Sequence, residues 1–262
     1  MHHLQLRAPK RSKSFTGPQS WEELTPKQFL QFMRWQLTLQ ASLEGQIVLL
    51  QLWYRIPGRW LQRLDGEKLT RLLKLLEFLH QLPTRWMMSR LCLGFRTYVG
   101  PGDNLECLTF GEFMFAEAAV SRYRAGKNRE DLAELAAVLY QPRALPWQKE
   151  SDGKRAVFDR RRLEGAKKRF LRLSDAVLHG ILLNYTGCME AFPVQFEYLF
   201  KRSDESGGAS GTWLDVGLNL ARNTGALGTF QQLEQTNLFL VLPTLDKMIQ
   251  ESEEFKTNLE KK

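Results

Sequence analysis

Cysteine is scarce in this chain, and what little there is excludes two classes at once. Cys92, Cys107 and Cys188 are odd in number and show no CxxC spacing, so neither a disulfide framework nor a paired-thiol zinc site is expected. Reduced thiols, and with them a cytoplasmic setting, are the expectation. Histidine is equally sparse: His2 and His3 lie in the basic leader. His179 stands among apolar residues with no second histidine or carboxylate at metal spacing, which makes it a satisfied core residue rather than a ligand. There is no HExxH, no GxSxG, no GxGxxG after a strand and no EF-hand loop. Long apolar runs are missing too. The longest candidate, residues 238–242, falls far short of the ~20 residues of a membrane span, and residues 1–19 lack the apolar centre of a signal peptide. These absences point away from an enzyme, a metal, a cofactor and a membrane.

What is present is the material of a folded core. Hydrophobic residues make up 43% of 262, enough to bury a sizeable interior in one or two domains. Lys and Arg (37) outnumber Asp and Glu (29), a formal charge of +8 that suits nucleic acid or an acidic protein face without choosing between them.

Residues 105–142, LECLTFGEFMFAEAAVSRYRAGKNREDLAELAAVLYQP, carry the clearest local signals. Thr109 followed three residues later by Glu112 is a capping box, in which each side chain satisfies the other's backbone N–H. The spacing predicts a helix to about Arg124 with Phe113, Val120 and Tyr123 on its inner side, ended by Gly126. A second helix, Arg129 to Tyr140, repeats Leu132, Leu135, Ala136 and Leu139 on one face, and Pro142 cannot continue it. The pair reads as an αα-hairpin. Glu112 and Glu117 are close in sequence, yet five residues apart on a helix they do not face one another, and Glu112 is already used as a cap.

The rest of the chain reads mostly as helix. Residues 1–20 have no period and predict a flexible basic arm. Thr25, Pro26 and Gln28 start a helix through Phe29, Leu30, Met33 and Leu37. Residues 44–55 are apolar nearly all round, as in a helix buried on most sides, and Pro57 and Gly58 stop it. A third helix spans residues 66–80. Around residues 91–99 the period changes to two and predicts a short strand, hairpin or extended segment before the turn at residues 100–103. Residues 141–158 read as a loop, and residues 174–185 as a buried helix. Residues 203–211, SDESGGASG, read as a flexible linker. Beyond it acidic residues prevail, and residues 212–262 predict a separable helical hairpin bending at Pro243. The expected fold is therefore all-α: a multi-helix bundle of αα-hairpins in a core of residues 21–202, with the arm before it and the linker and hairpin after it.

Two surfaces emerge as candidates. Residues 160–172 hold the densest basic run; on a helix, Leu163, Ala166, Phe170 and Leu173 face inward and leave Arg161, Lys168 and Arg172 outward, where they could neutralise phosphates. A solvated helix face is the plainer reading of the same row, since Asp159 and Glu164 are interleaved. Trp213 and the apolar stripe at Leu240 and Val241 form the second candidate, a partner surface.

The run GPGDNLECLTFGEF, then a helix, then AELAAVLYQP resembles proteins encoded beside tail genes in phages and prophages of Bacteroidetes-type bacteria. The matching positions are Leu108, Thr109, Phe110, Gly111, Glu112 and Phe113, then Ala136, Val138, Leu139, Tyr140 and Pro142. FPVQFEYLF, the Trp213 segment and the closing helix are similar in spirit, and about a third of the chain is covered. The resemblance implies a non-enzymatic structural or assembly protein, with helical tail-assembly chaperones that bind the tape-measure protein as the nearest role. A tail or tape-measure-like protein, or a second copy of the chain as a homo-oligomer, would then be its partner. Incorporation in a virion or tail-like particle is part of the same expectation. The long basic N-terminal half departs from a small chaperone. The alternative expectation is a nucleic-acid-binding module using residues 160–172.

Overall fold

The computed structural model describes residues 1–8, 11–39, 42–144, 155–200, 212–223 and 228–260. It is mostly helical, with 67% helix and 10% strand, so the all-α expectation holds only in its coarser form: two small sheets accompany the helices. The chain divides into two compact units, one of residues 1–87 with 174–184, the other of residues 88–173 with 185–262.

The first unit begins with a correction. Residues 1–20, expected as a free arm, form an antiparallel hairpin of β1 (His2–Ala8) and β2 (Arg11–Gly17), with Leu4 opposite Phe15. The reason is one anchor within a polar strand: Ser12, Lys13, Ser14 and Thr16 face solvent while Phe15 is buried edge-on against Trp60, with ring centroids 6.2 Å apart. Helices α1 (Pro26–Leu39), α2 (Leu43–Tyr54), α3 (Gly58–Leu61) and α4 (Gly66–Leu73) follow. The Thr25 box is formed as its sequence predicts, Gln28 Oε1 accepting from the Thr25 amide at 3.0 Å and Thr25 Oγ1 from the Gln28 amide at 3.3 Å. Ser42 caps α2, which ends in a left-handed Arg55 ahead of Pro57. The predicted helix over residues 66–80 is α4 continued by a 3-10 helix, Lys74–His80.

An aromatic cluster fills this unit. Trp21 meets Phe29, Phe32 and Phe78 edge-on at 6.0, 5.2 and 5.8 Å, and Trp53 stacks on Phe78. Asn184, fully buried, is satisfied by backbone: its Oδ1 accepts from the Met87 amide at 3.1 Å and its Nδ2 donates to the Arg85 carbonyl at 2.9 Å.

In the second unit the period-two segment is a hairpin of β3 (Arg90–Leu93) and β4 (Arg96–Val99) with a third strand, β5 (Gln141–Pro142), in the order β3-β4-β5. Gly94 turns the hairpin at φ +61°, a region glycine enters without a steric penalty, and leaves Phe95 at the tip. Register places Leu91, Leu93, Arg96, Tyr98 and Pro142 on one sheet face and Arg90, Cys92, Thr97, Val99 and Gln141 on the other.

Helices α5 (Phe110–Gly126) and α6 (Arg129–Leu139) form the predicted αα-hairpin, with the Thr109–Glu112 box complete. The stop differs in detail. Gly126 is the last helical residue and Lys127 takes the left-handed position at φ 52°. Helices α7 (Leu163–Phe170) and α8 (Asp175–Met189) follow; the end of α8 belongs to this unit and its beginning to the first. After α9 (Phe192–Gln195) come α10 (Trp213–Asn223), α11 (Phe230–Gln235) and α12 (Leu238–Glu260), the last running through Pro243. The predicted linker at residues 203–211 lies outside the described residues.

The predicted separable tail is not separate. The Phe110 amide donates to the Thr236 carbonyl and the Leu238 amide to the Leu108 carbonyl, each at 2.9 Å, so Asn237 bridges to Thr109 as a strand would. Gly111 permits the approach, since a Cβ there would stand 2.8 Å from the Glu234 carbonyl oxygen. Burial of Leu233, Leu238, Val241 and Leu242 then joins the tail to the core of α5.

Candidate functional site

The start of α5 is a buried charged node. Glu112, 1% exposed, uses Oε2 to accept from the Thr109 amide at 2.9 Å and Oε1 to accept from Arg155 Nη2 at 2.7 Å. Arg155, 7% exposed, also donates from Nη1 to the Cys107 carbonyl at 2.7 Å and from Nη2 to the Leu139 carbonyl at 3.0 Å. It thereby ties together the segment before α5, the helix itself and the end of α6. Burial pushes the Glu112 carboxyl above the usual carboxylate range, against the pull of the Arg155 charge and of Thr109. One turn and a half later, Glu117 accepts from the Tyr185 hydroxyl at 2.9 Å, and burial raises both groups. The two carboxylates thus serve two separate partners. Sequence reading found the cap but not Arg155, which stood among other charged residues in a segment read as loop.

The basic run is sorted by the fold into two sets. Arg160 faces Glu234 at 3.6 Å, Arg162 faces Asp159 at 3.3 Å, and Lys167 lies between Glu130 and Glu134 at 3.3 and 3.6 Å. Arg169 Nη1 donates to the Tyr98 hydroxyl at 3.0 Å, beside the edge-on contact of Tyr98 and Phe170 at 5.1 Å. Arg161, Lys168 and Arg172 remain: all three are exposed, and none has a carboxylate within ion-pair distance among the described residues. Lys168 lies within α7, Arg161 in the 3-10 turn before it and Arg172 in the turn after it.

The apolar partner surface is largely withdrawn. Val241 is fully buried, because α12 turns it inward with Leu238, Leu242 and Leu245, and it cannot meet a partner. Trp213 is half-buried, its ring 4.7 Å from that of Phe113 and 6.0 Å from that of Phe200. Leu240 stays 63% exposed. A different apolar stripe appears in the first unit. α2, expected to be buried on most sides, buries Leu49, Leu50, Trp53 and Tyr54 and leaves Val48 and Leu52 exposed one turn apart, flanked by Glu44 and Arg55. The helix packs on its own unit along one side only.

A cleft of about 540 Å³ in the first unit is lined by Lys13, Phe15, Glu23, Thr25, Tyr54 and Arg55 among others. Its charges are of both signs. Tyr54 is committed there, its hydroxyl donating to the Pro18 carbonyl at 2.8 Å, and burial holds its proton more firmly than usual. His179 Nδ1 lies 2.9 Å from the Asp175 carbonyl oxygen, and no group of three metal-ligating side chains occurs among the described residues. None of the three cysteines is in a disulfide; burial pushes the Cys188 thiol up to about 12. Among the described residues no helix is long and apolar enough to cross a membrane.

The sites and the fold define a mostly helical two-unit chain with a locked charged node and an open basic row. Comparison with protein-family models, with curated proteins and with solved structures returns no match.

Proposed function

We propose that this chain is a non-enzymatic structural or assembly protein of phage or prophage origin that binds other tail proteins, or a second copy of itself, through helical surfaces. The observation that carries the binding role is the outer side of α2, where Val48 is 41% and Leu52 49% exposed on a helix whose other side is apolar and buried. A helix apolar on both sides is suited to burial on both sides, and one of them is open in the single chain. The phage origin is supported by the resemblance at residues 108–113 and 136–142. The test is light scattering and mass spectrometry on the chain purified from its native host, beside a Val48→Glu, Leu52→Glu variant. A tail protein or second copy that accompanies the wild type and is lost from the variant is the expected result. A complex that survives the two glutamates unchanged overturns the assignment of this surface.

A second reading, binding of nucleic acid, is favoured by one specific observation. Arg161, Lys168 and Arg172 stand exposed without carboxylate partners among the described residues, while their neighbours in the same run are held by Glu234, Asp159, Glu130, Glu134 and Tyr98. Replacing all three by alanine should then weaken nucleic-acid binding and reduce its dependence on salt.

A further inference from the structure

The hairpin tip adds to the basic row something that the run itself does not contain. Phe95 is as exposed as a side chain can be, at 110% of its reference area. It follows the Gly94 turn and precedes Arg96, an exposed cation without a carboxylate partner among the described residues. Arg96 shares its sheet face with Tyr98, two residues on, and Tyr98 is where α7 meets the hairpin, through the Arg169 hydrogen bond at 3.0 Å and the Phe170 ring at 5.1 Å. These contacts join the hairpin that carries Phe95 and Arg96 to the helix that carries Arg169 and Lys168, with Arg161 just before that helix and Arg172 just after it, and so define a basic path from β4 to α7. Glu164 is the one carboxylate of α7 itself, exposed a turn before Lys168 without pairing to it among the described residues.

We propose that this path binds a single-stranded nucleic acid, with Phe95 stacking on one base and the cations of β4 and α7 following the phosphates. The inference rests on the nucleic-acid reading above and deepens it by naming the strand type. An exposed phenylalanine at the end of a row of cations is the pairing of stacking platform and electrostatic track that unpaired strands use. A duplex offers no free base face to it. An acidic protein segment would use the cations and leave Phe95 idle.

The experiment measures anisotropy of a labelled oligothymidylate, and of its duplex with oligoadenylate, against the full chain over a salt series. Wild type should prefer the single strand. Phe95→Ala should bind the single strand about tenfold more weakly with an unchanged salt slope, the loss of one stacking contact. Phe95→Tyr should retain affinity. The triple variant Arg161→Ala, Lys168→Ala, Arg172→Ala should flatten the slope by about 2, at roughly 0.7 per phosphate contact on a single strand. A Phe95→Ala protein that binds as wild type while the triple variant fails would sink the strand assignment and leave the basic row standing. No binding of strand or duplex removes both readings. Competition by polyglutamate as effective as that by the oligonucleotide overturns the proposal in favour of an acidic protein face. Phe95 makes no core contact, so matched thermal melts of each variant establish that folding is unaffected.

Discussion

The beginning of α5 and the outer side of α7 are both rich in charge, and they use it in opposite ways. At α5 an arginine is withdrawn from water, meets a carboxylate at 2.7 Å and donates to two carbonyls from Nη1 and Nη2. On α7 and in the turns beside it three cations, Arg161, Lys168 and Arg172, reach solvent with no carboxylate partner among the described residues. The difference teaches that charge type says little about role, and that surroundings decide it. A buried ion becomes an obligatory structural partner because leaving it unpaired is expensive, whereas an exposed one is worth little to stability and is free to meet a ligand.

The sharpest way to break the comparison is to remove what closes the α5 side. Deleting residues 212–262 strips away the strand-like bridge to Thr109 and the Trp213 contact with Phe113, and the second unit should lose cooperative thermal unfolding. A truncated chain that melts as the full one does would show that the docked tail is incidental. Next in size, Arg155→Met removes the cation that offsets the burial of Glu112, at a cost of about 3–5 kcal/mol by chemical denaturation. Adding Glu112→Gln, which keeps the cap chemistry that Gln232 provides to Thr229, should recover most of that loss. Failure of the double variant to recover would mean that packing around Arg155, rather than its charge, dominates.

Glu117 sharpens the contrast through pH. Burial raises its carboxyl in the folded state, so the native chain holds a proton that the unfolded chain has already released. Stability should therefore fall as pH rises from the ordinary glutamate range, about 4.3, through the raised folded value. Glu112 is shifted in the same direction, so Glu117→Gln should flatten this slope in part, read from melting temperature against pH. The smallest effect belongs to α7: alanine at Arg161, Lys168 and Arg172 should each change stability by less than about 0.5 kcal/mol. A larger loss would show that these side chains belong to the fold and are not free for a ligand.

Much of the local structure was legible. The boxes at Thr25–Gln28 and Thr109–Glu112 mark helix starts because both of their halves lie within four residues, where sequence reads contacts directly. The α5–α6 hairpin and the period-two segment at β3 and β4 follow from side-chain periodicity for the same reason. The first hairpin was missed because Phe15 is the only aromatic residue of its second strand and its partner Trp60 lies 45 positions away. Val241 and Leu240 looked alike in sequence. Docking of α12 beside α5 buried one and left the other in solvent.

By itself, then, the sequence determined where helices begin, which residues face one side of each, and that the chain would be rich in core-forming residues and positive charge. Those are properties of neighbours a turn apart, set by backbone geometry and side-chain chemistry. Only the tertiary structure decided which charges are locked and which are open. It selected Arg155 for Glu112 over a separation of 43 residues, joined the tail to Thr109, and left Phe95 exposed at a hairpin tip. Burial and pairing between distant segments arise only when those segments pack together, and no local pattern encodes them.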